Sequence, residues 1–229
     1  RSHVAMTITD SQGRSRQRKL TVLRRNALMP AANGDADGAQ QLYAYFHHPP
    51  DVSKMVFMVW KHLDGDDDRW LYLPALDLVK RIAASDERTA FVGSNFFYED
   101  ISGRGVSEDT HELVEASDNY YVLKNTPKEP GRVEFASYTV WVHRQTFLTV
   151  KTEYYDAQGK KYREYQALEV KTIQDYPTVV KARMDDHQTG GYTVVEYADV
   201  RYGLGLPEDI FTERYLRRAP GEFLGERIE

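Results

Sequence analysis

The sequence predicts a mainly β (α+β) protein built on an unclosed, strongly curved antiparallel β-barrel, and three observations carry that prediction. Short runs rich in Val, Thr, Tyr and Phe recur between turn residues along most of the chain. Within 148–154, Leu148, Val150, Thr152 and Tyr154 fall on one face while Thr149, Lys151 and Glu153 fall on the other, the period-2 pattern of a half-buried strand. No strand–helix–strand rhythm interrupts these runs, which argues for an antiparallel sheet curling toward a barrel. A sheet that curls without closing leaves a concave face, the usual setting of a small-molecule site.

The elements follow in order. Segments 6–10 and 17–27 form an opening hairpin around Ser11-Gln12-Gly13, and the Gly-rich stretch 29–40 is a loop. Strands are expected at 41–47, 55–62, 69–73, 77–83 and 89–92, separated by Pro49-Pro50-Asp51, the acidic run Asp64 to Asp68, Pro74, and Ser85-Asp86-Glu87. Segment 55–60 is apolar on both faces, so each face needs a cover. Residues 94–103 read as a short helix or lid loop capped by Ser94 or Asn95. Six long strands follow at 111–124, 132–144, 147–155, 161–173, 178–185 and 191–202, with Asp156-Ala157-Gln158-Gly159 as one hairpin turn. The end, LPEDIFTERYLRR, predicts a terminal helix with Pro207 at its first position, acids Glu208 and Asp209 next, and Arg217 and Arg218 at its close. No internal repeat appears, and 1–229 is read as one domain.

Composition narrows the chemistry. With no cysteine, thiolate catalysis and cysteine-ligated metals are excluded. A net charge of −5 disfavours nucleic acid as the principal partner. The basic cluster Arg14, Arg16, Arg18, Lys19, Arg24 and Arg25 alternates with Leu20, Val22 and Leu23, which fits the solvated face of an early strand. No run of about 18 apolar residues suggests a membrane span.

Catalytic and metal-binding patterns are missing as well. There is no G-x-S-x-G, no H-E-x-x-H and no phosphate-cradling glycine loop, so no catalytic residue, metal ligand set or cofactor is expected. Asp64, Asp66 and Asp68 begin like a calcium loop, but Arg69 stands at the required glycine and Ala75 at the required Glu. Glu99-Asp100 point in different directions on either a strand or a helix. What remains is a concentration of aromatics: Phe57, Trp60, Trp70, Tyr72, Phe91, Phe96, Phe97 and Tyr98, then Tyr138, Trp141 and Phe147, with flexible Met55 and Met58 near them. Lys80 and Arg81 sit beside this wall, an arrangement suited to an amphiphile with an anionic or carbonyl-bearing head.

The motifs Trp70-Leu71-Tyr72-Leu73-Pro74-Ala75-Leu76, Val79-Lys80-Arg81-Ile82 and Phe91-Val92-Gly93-Ser94-Asn95-Phe96-Phe97-Tyr98-Glu99-Asp100, with Leu206 to Thr212 and Arg214-Tyr215-Leu216 at the end, resemble bacterial outer-membrane lipoprotein-sorting-like proteins of the LolA-like superfamily. The resemblance implies a periplasmic protein, exported by a leader that the sequence does not carry, whose barrel opening is lidded by short helices over a hydrophobic cavity for acyl chains. It implies a binding protein without enzymatic activity. Met58, Trp60, Trp70, Tyr72, Phe91, Phe96, Phe97, Tyr98 and Trp141 are expected to line that cavity, with Lys80 and Arg81 at the head group. The expected partners are lipid or lipoprotein acyl chains, with an inner-membrane transporter or an outer-membrane receptor as the protein partner, and a monomer is expected. Two other readings stand beside it: an interaction module serving a resistance-nodulation-division type exporter without cargo of its own, and an enzyme on lipid or glycan, which needs a buried carboxylate or histidine with a shifted pKa in the cavity.

Overall fold

The computed structural model describes residues 1–26, 40–62, 65–83 and 86–225. Thirteen strands make up most of it: β1 (Ser2–Thr9), β2 (Ser15–Asn26), β3 (Gln40–His48), β4 (Val56–Lys61), β5 (Asp68–Leu73), β6 (Leu78–Arg81), β7 (Asp109–Ala116), β8 (Tyr120–Pro127), β9 (Ser137–His143), β10 (Thr149–Tyr155), β11 (Lys161–Ile173), β12 (Tyr176–Asp186) and β13 (Gly191–Ala198). Among the described residues, helix is confined to α1 (Tyr98–Ser102), α2 (Glu213–Arg217), α3 (Gly221–Leu224) and several 3-10 turns. The strand order β6-β5-β4-β3-β2-β1-β13-β12-β11-β10-β9-β8-β7 has two ends, so hydrogen bonding does not close the sheet. The mainly β, unclosed antiparallel architecture expected from the sequence is the one found.

The contacts divide the chain into two compact units. The first comprises Arg1–Ala5, Gln17–Glu87 and Ala198–Glu229; the second comprises Met6–Arg16 and Arg88–Tyr197.

In the first unit, cross-strand register sets the faces. Leu23, Tyr43, Met58, Trp70 and Arg81 form one row across β2 to β6, and Thr21, Tyr45, Val56, Tyr72 and Val79 form the next on the same face. Val22, Ala44, Phe57, Leu71 and Lys80 point the other way. Val56 to Val59 are buried without a break, as the two-sided apolar pattern of this segment requires. Arg69 is buried between the carboxylates of Asp67 (2.8 Å) and Glu87 (2.7 Å), so its charge is paired on both sides. Asp68 pairs with His62 and Arg81. The expected loop 29–40 and the turn positions Asp64 and Ser85 fall largely or wholly outside the described residues.

The end of this unit departs from the expected helix. Pro207 caps a 3-10 turn over Glu208–Phe211, Thr212 is extended (φ −110°, ψ 161°), α2 follows, and α3 forms after Pro220. The break at Thr212 lets Ile210, Phe211, Leu216 and Leu224 all become buried, which a straight helix of this spacing could not do. The basic cluster is corrected at one place: the Arg18 side chain is buried near Asp51 (3.7 Å).

In the second unit, β7 to β13 form an antiparallel meander. The expected strand 111–124 is two strands, because Ser117-Asp118-Asn119 turns the chain, with the Ser117 amide donating to the Tyr120 carbonyl at 3.0 Å. The strand expected at 89–92 is a 3-10 turn over Phe91–Gly93; Val92 (φ 48°) and Gly93 (φ 72°) reverse the chain, so that the Phe91 amide meets the Phe96 carbonyl at 2.7 Å. Helix α1 is capped neither by Ser94 nor by Asn95: Asp100 reaches back to accept from the Phe97 amide at 2.6 Å. Five other strands are shorter than expected, β4 at 56–61, β6 at 78–81, β9 at 137–143, β10 at 149–155 and β13 ending at Ala198.

One face of this meander carries directly opposed Glu153 and Glu164. Burial alone would raise the Glu153 carboxyl, but hydrogen bonds from Lys151, Tyr155 and Lys161 outweigh it and hold it down at about 2. Burial likewise opposes ionisation of Glu164, and Lys161 and Gln166 overcome it. Carboxyls depressed in the folded state favour folding above their unfolded value of about 4.3, and that contribution is lost as pH falls from there toward 2. Urea midpoints measured at descending pH should therefore drop across that window, and Glu153→Gln should flatten the drop; an unchanged profile would mean the lysines do not hold these acids.

Candidate functional site

The first unit brings four of the nine expected lining residues together. Met58, Trp60, Trp70 and Tyr72 share the β2–β6 face described above, because their strand positions have the same parity across the register. Met58 is fully buried, and Trp70 is nearly so. The two tryptophan rings meet edge to face at 5.4 Å. Arg81 stands over Trp70, 5.6 Å from its centroid, close enough for a cation–π contact. Lys80, its neighbour on the strand, projects from the opposite face and does not join this group. Of the expected head-group pair, Arg81 alone is beside these aromatics.

Across this face lies the C-terminal segment. Ile210, Phe211, Leu216 and Leu224 pack against Leu23, Tyr43, Val56, Met58 and Trp70, with Tyr45, Trp60, Tyr72 and Phe223 partly buried around them. Directed bonds hold the segment down. Trp60 Nε1 donates to the Phe211 carbonyl at 2.6 Å, and the Tyr43 hydroxyl donates to the Tyr215 carbonyl at 2.7 Å. Arg217 reaches Asp77 at 3.0 Å, and the Leu224 carbonyl meets His3 Nε2 at 3.0 Å. Burial pushes the Tyr43 hydroxyl far above its ordinary range, so it remains a donor at all working pH values. The turns are four or five residues long, too short to persist without the sheet beneath them.

Leu23, Tyr43 and the C-terminal apolar residues were not among the expected lining residues. The alternation of Tyr43 and Tyr45 with Ala44 was a readable signal for the first pair of strands. The expected terminal helix over 206–218 takes in Ile210, Phe211 and Leu216 without revealing their common target.

The other five expected residues lie in the second unit. Phe91, Phe96 and Tyr98 are buried, and the rings of Phe91 and Tyr98 meet edge to face at 5.4 Å. Phe97 lies 3.8 Å from the Arg163 guanidinium. Trp141 sits on β9 with the Lys151 ammonium 4.6 Å over its ring. The segment 94–103 is firmly tied: Arg163 pairs with Asp100 and donates to the Asn95 carbonyl at 3.2 Å, Asn95 and Thr193 exchange bonds of 3.0 and 2.7 Å, and Arg104 joins Glu99 to the buried Asp109. Tyr138 completes that set by donating to Asp109 at 2.6 Å.

Among the described residues, no three His, Asp or Glu side chains stand together as a metal site. No described helix is long and apolar enough to cross a membrane.

A family model described as "Uncharacterized protein" matches residues 38–218. No curated protein matches the chain. Among solved structures, a DUF1329 family protein from Desulfovibrio piger is similar at 27% identity and a TM-score of 0.83, covering 94% of this chain and 90% of that one. A domain from Vibrio parahaemolyticus described as an outer membrane lipoprotein-sorting protein shares 29% identity with a TM-score of 0.79, covering 95% and 90%. A LolA superfamily protein from Nitrosomonas europaea, at 20% identity and a TM-score of 0.67 over 93% and 90%, shares the fold.

Proposed function

The chain belongs to the family whose model spans residues 38–218 and has the LolA-like fold, and from that premise we propose that it is a periplasmic carrier for the acyl chains of lipids or lipoproteins on their way to the outer membrane. The observation that carries this reading is the apolar face of β2–β6, covered by a segment of the same chain in three short, separate turns. An acyl chain would lie on Met58, Trp60, Trp70 and Tyr72 after the cover lifts, with its head group near Arg81.

Magnitudes favour exchange over permanent capture. Burying about a dozen methylenes yields about 10 kcal/mol gross at about 0.8 kcal/mol each. Lifting Ile210, Phe211, Leu216 and Leu224 from the face costs roughly 6–12 kcal/mol by the same scale. The two terms nearly cancel, so cargo can enter and leave, as delivery to a transporter or receptor requires. Nothing in this mechanism makes or breaks a covalent bond. The 29% identical Vibrio domain described as lipoprotein-sorting supports the same class of role.

Native mass spectrometry before and after mild organic extraction tests the proposal. A stoichiometric lipid or acylated fragment is expected, and Tyr72→Lys, at a partly buried position on the same face, should reduce its retention while circular dichroism remains unchanged. A clean mass that stays unchanged after incubation with phospholipid would overturn the carrier reading in favour of a cargo-free module serving an exporter.

A further inference from the structure

The second unit carries an apolar surface that the carrier reading does not use. β11 pairs with β10 only as far as Gln166, yet it runs on to Ile173 against β12, turning at Gln174 and Asp175, both with positive φ. Residues 168–172 are exposed in succession, so both faces of this two-stranded arm are open. Such an arm is marginal by itself in water.

Register brings other turns to the same end. Tyr120 lies opposite His143, so the turns between β7 and β8 and between β9 and β10 neighbour one another, and β10 starts beside the base of the arm. Phe147 is 72% exposed there, with Tyr176 at 57%, Leu168 at 46%, Val170 at 44% and Tyr120 at 36%. Three of the twelve large apolar side chains exposed among the described residues, Leu168, Val170 and Tyr176, lie along the arm, and Phe147 and Tyr120 lie in the turns beside its base.

Phe147 adds a second sign. Its backbone is at φ 55°, a conformation that favours Asn or Gly, and its amide donates a hydrogen bond to the His143 carbonyl (2.8 Å), while its ring is exposed to solvent. An aromatic ring in a strained turn, contributing nothing to the core, is suited to an external contact.

Charge decides between a bilayer and a protein. Glu115, Asp118, Glu169, Asp175 and Glu196 are exposed around these residues, against the cations Arg144, Lys171 and Lys181, the last of them opposite Glu169 and engaged with Glu196 at 2.7 Å. Lys171 is engaged with Glu169 at 3.0 Å, and Arg144 lies 4.9 Å over the Tyr121 ring. An acidic fringe repels an anionic membrane surface and attracts a basic one. We propose that this end of the β7–β13 meander docks a segment of a partner protein whose apolar face is bordered by lysine or arginine.

The test uses the full chain and an amphipathic helical peptide of leucine and lysine, titrated by calorimetry. Saturable one-site binding is expected, tighter at low salt. Phe147→Ser with Tyr176→Ser, and separately Glu169→Lys with Asp175→Lys, should each weaken it at least about tenfold, while lipid retention in native mass spectra stays as in the parent protein. No saturable binding, or equal affinity in all three proteins, overturns the proposal. So does binding of the parent to phosphatidylglycerol vesicles that the Phe147→Ser, Tyr176→Ser variant loses, because that would make the surface a membrane contact. The carrier reading stands or falls separately, on the lipid measurement.

Discussion

Replacing Arg163 with Met should cost about 3–5 kcal/mol of unfolding free energy, read as a lowered urea midpoint at neutral pH. The Arg163 side chain is 4% exposed and pairs with Asp100, which is 11% exposed. Its guanidinium lies 3.8 Å from the Phe97 ring centroid and 5.0 Å from that of Tyr154. Burial by itself disfavours the charged guanidinium, and the Asp100 carboxylate more than compensates, so the pair is favourable only while both partners remain. Met fills much of the same volume but leaves the Asp100 charge buried without its cation. The loss should be local as well as global: amide exchange across 94–103 should accelerate, because Arg163 also holds the Asn95 carbonyl. Adding Asp100→Asn should recover part of the loss, since the stranded charge is then gone while an amide oxygen still accepts from the Phe97 amide that caps α1. A change below about 1 kcal/mol, the range of solvent-exposed pairs, would show that water reaches this site and that the segment is not anchored by Arg163.

Phe211→Ala is the corresponding change in the first unit, with an expected cost of about 3–5 kcal/mol for truncating a fully buried phenyl ring. Alanine keeps the carbonyl that accepts from Trp60 Nε1, so the cavity effect is separated from the hydrogen bond. Trp60→Phe removes that bond instead and should cost only about 1 kcal/mol. The two variants differ in a second respect. If the C-terminal segment covers the acyl face, Phe211→Ala lowers the cost of lifting it and should increase lipid retention in native mass spectra even as stability falls. Reduced retention with an intact circular dichroism spectrum would mean that Phe211 is part of the lining and not part of a cover.

Alternation made the strands of the meander readable, because a half-buried strand repeats every two residues whatever it packs against. The same pattern marked 55–60 as buried on both faces, and Val56 to Val59 are so. Errors fell where local chemistry decides. Ser117-Asp118-Asn119 was a turn signal hidden inside a long apolar-alternating run. Val92 takes a left-handed conformation that a β-branched residue seldom adopts, so propensity pointed to a strand at 89–92. Lys80 and Arg81 were paired by adjacency in sequence, whereas adjacent strand residues project to opposite faces.

The sequence by itself determined the fold class, most strand positions, the two-sided burial of β4 and the aromatic character of the face around Trp60, Trp70 and Tyr72, since all of these follow from short-range periodicity and residue type. Tertiary structure decided which aromatics share a face, because that depends on register between strands. It also decided that Ile210, Phe211, Leu216 and Leu224 lie across Tyr43 and Met58, and that Arg163 is buried beside Asp100. Those contacts join residues far apart in the chain, and their energies come from burial and desolvation, which no local pattern of letters encodes.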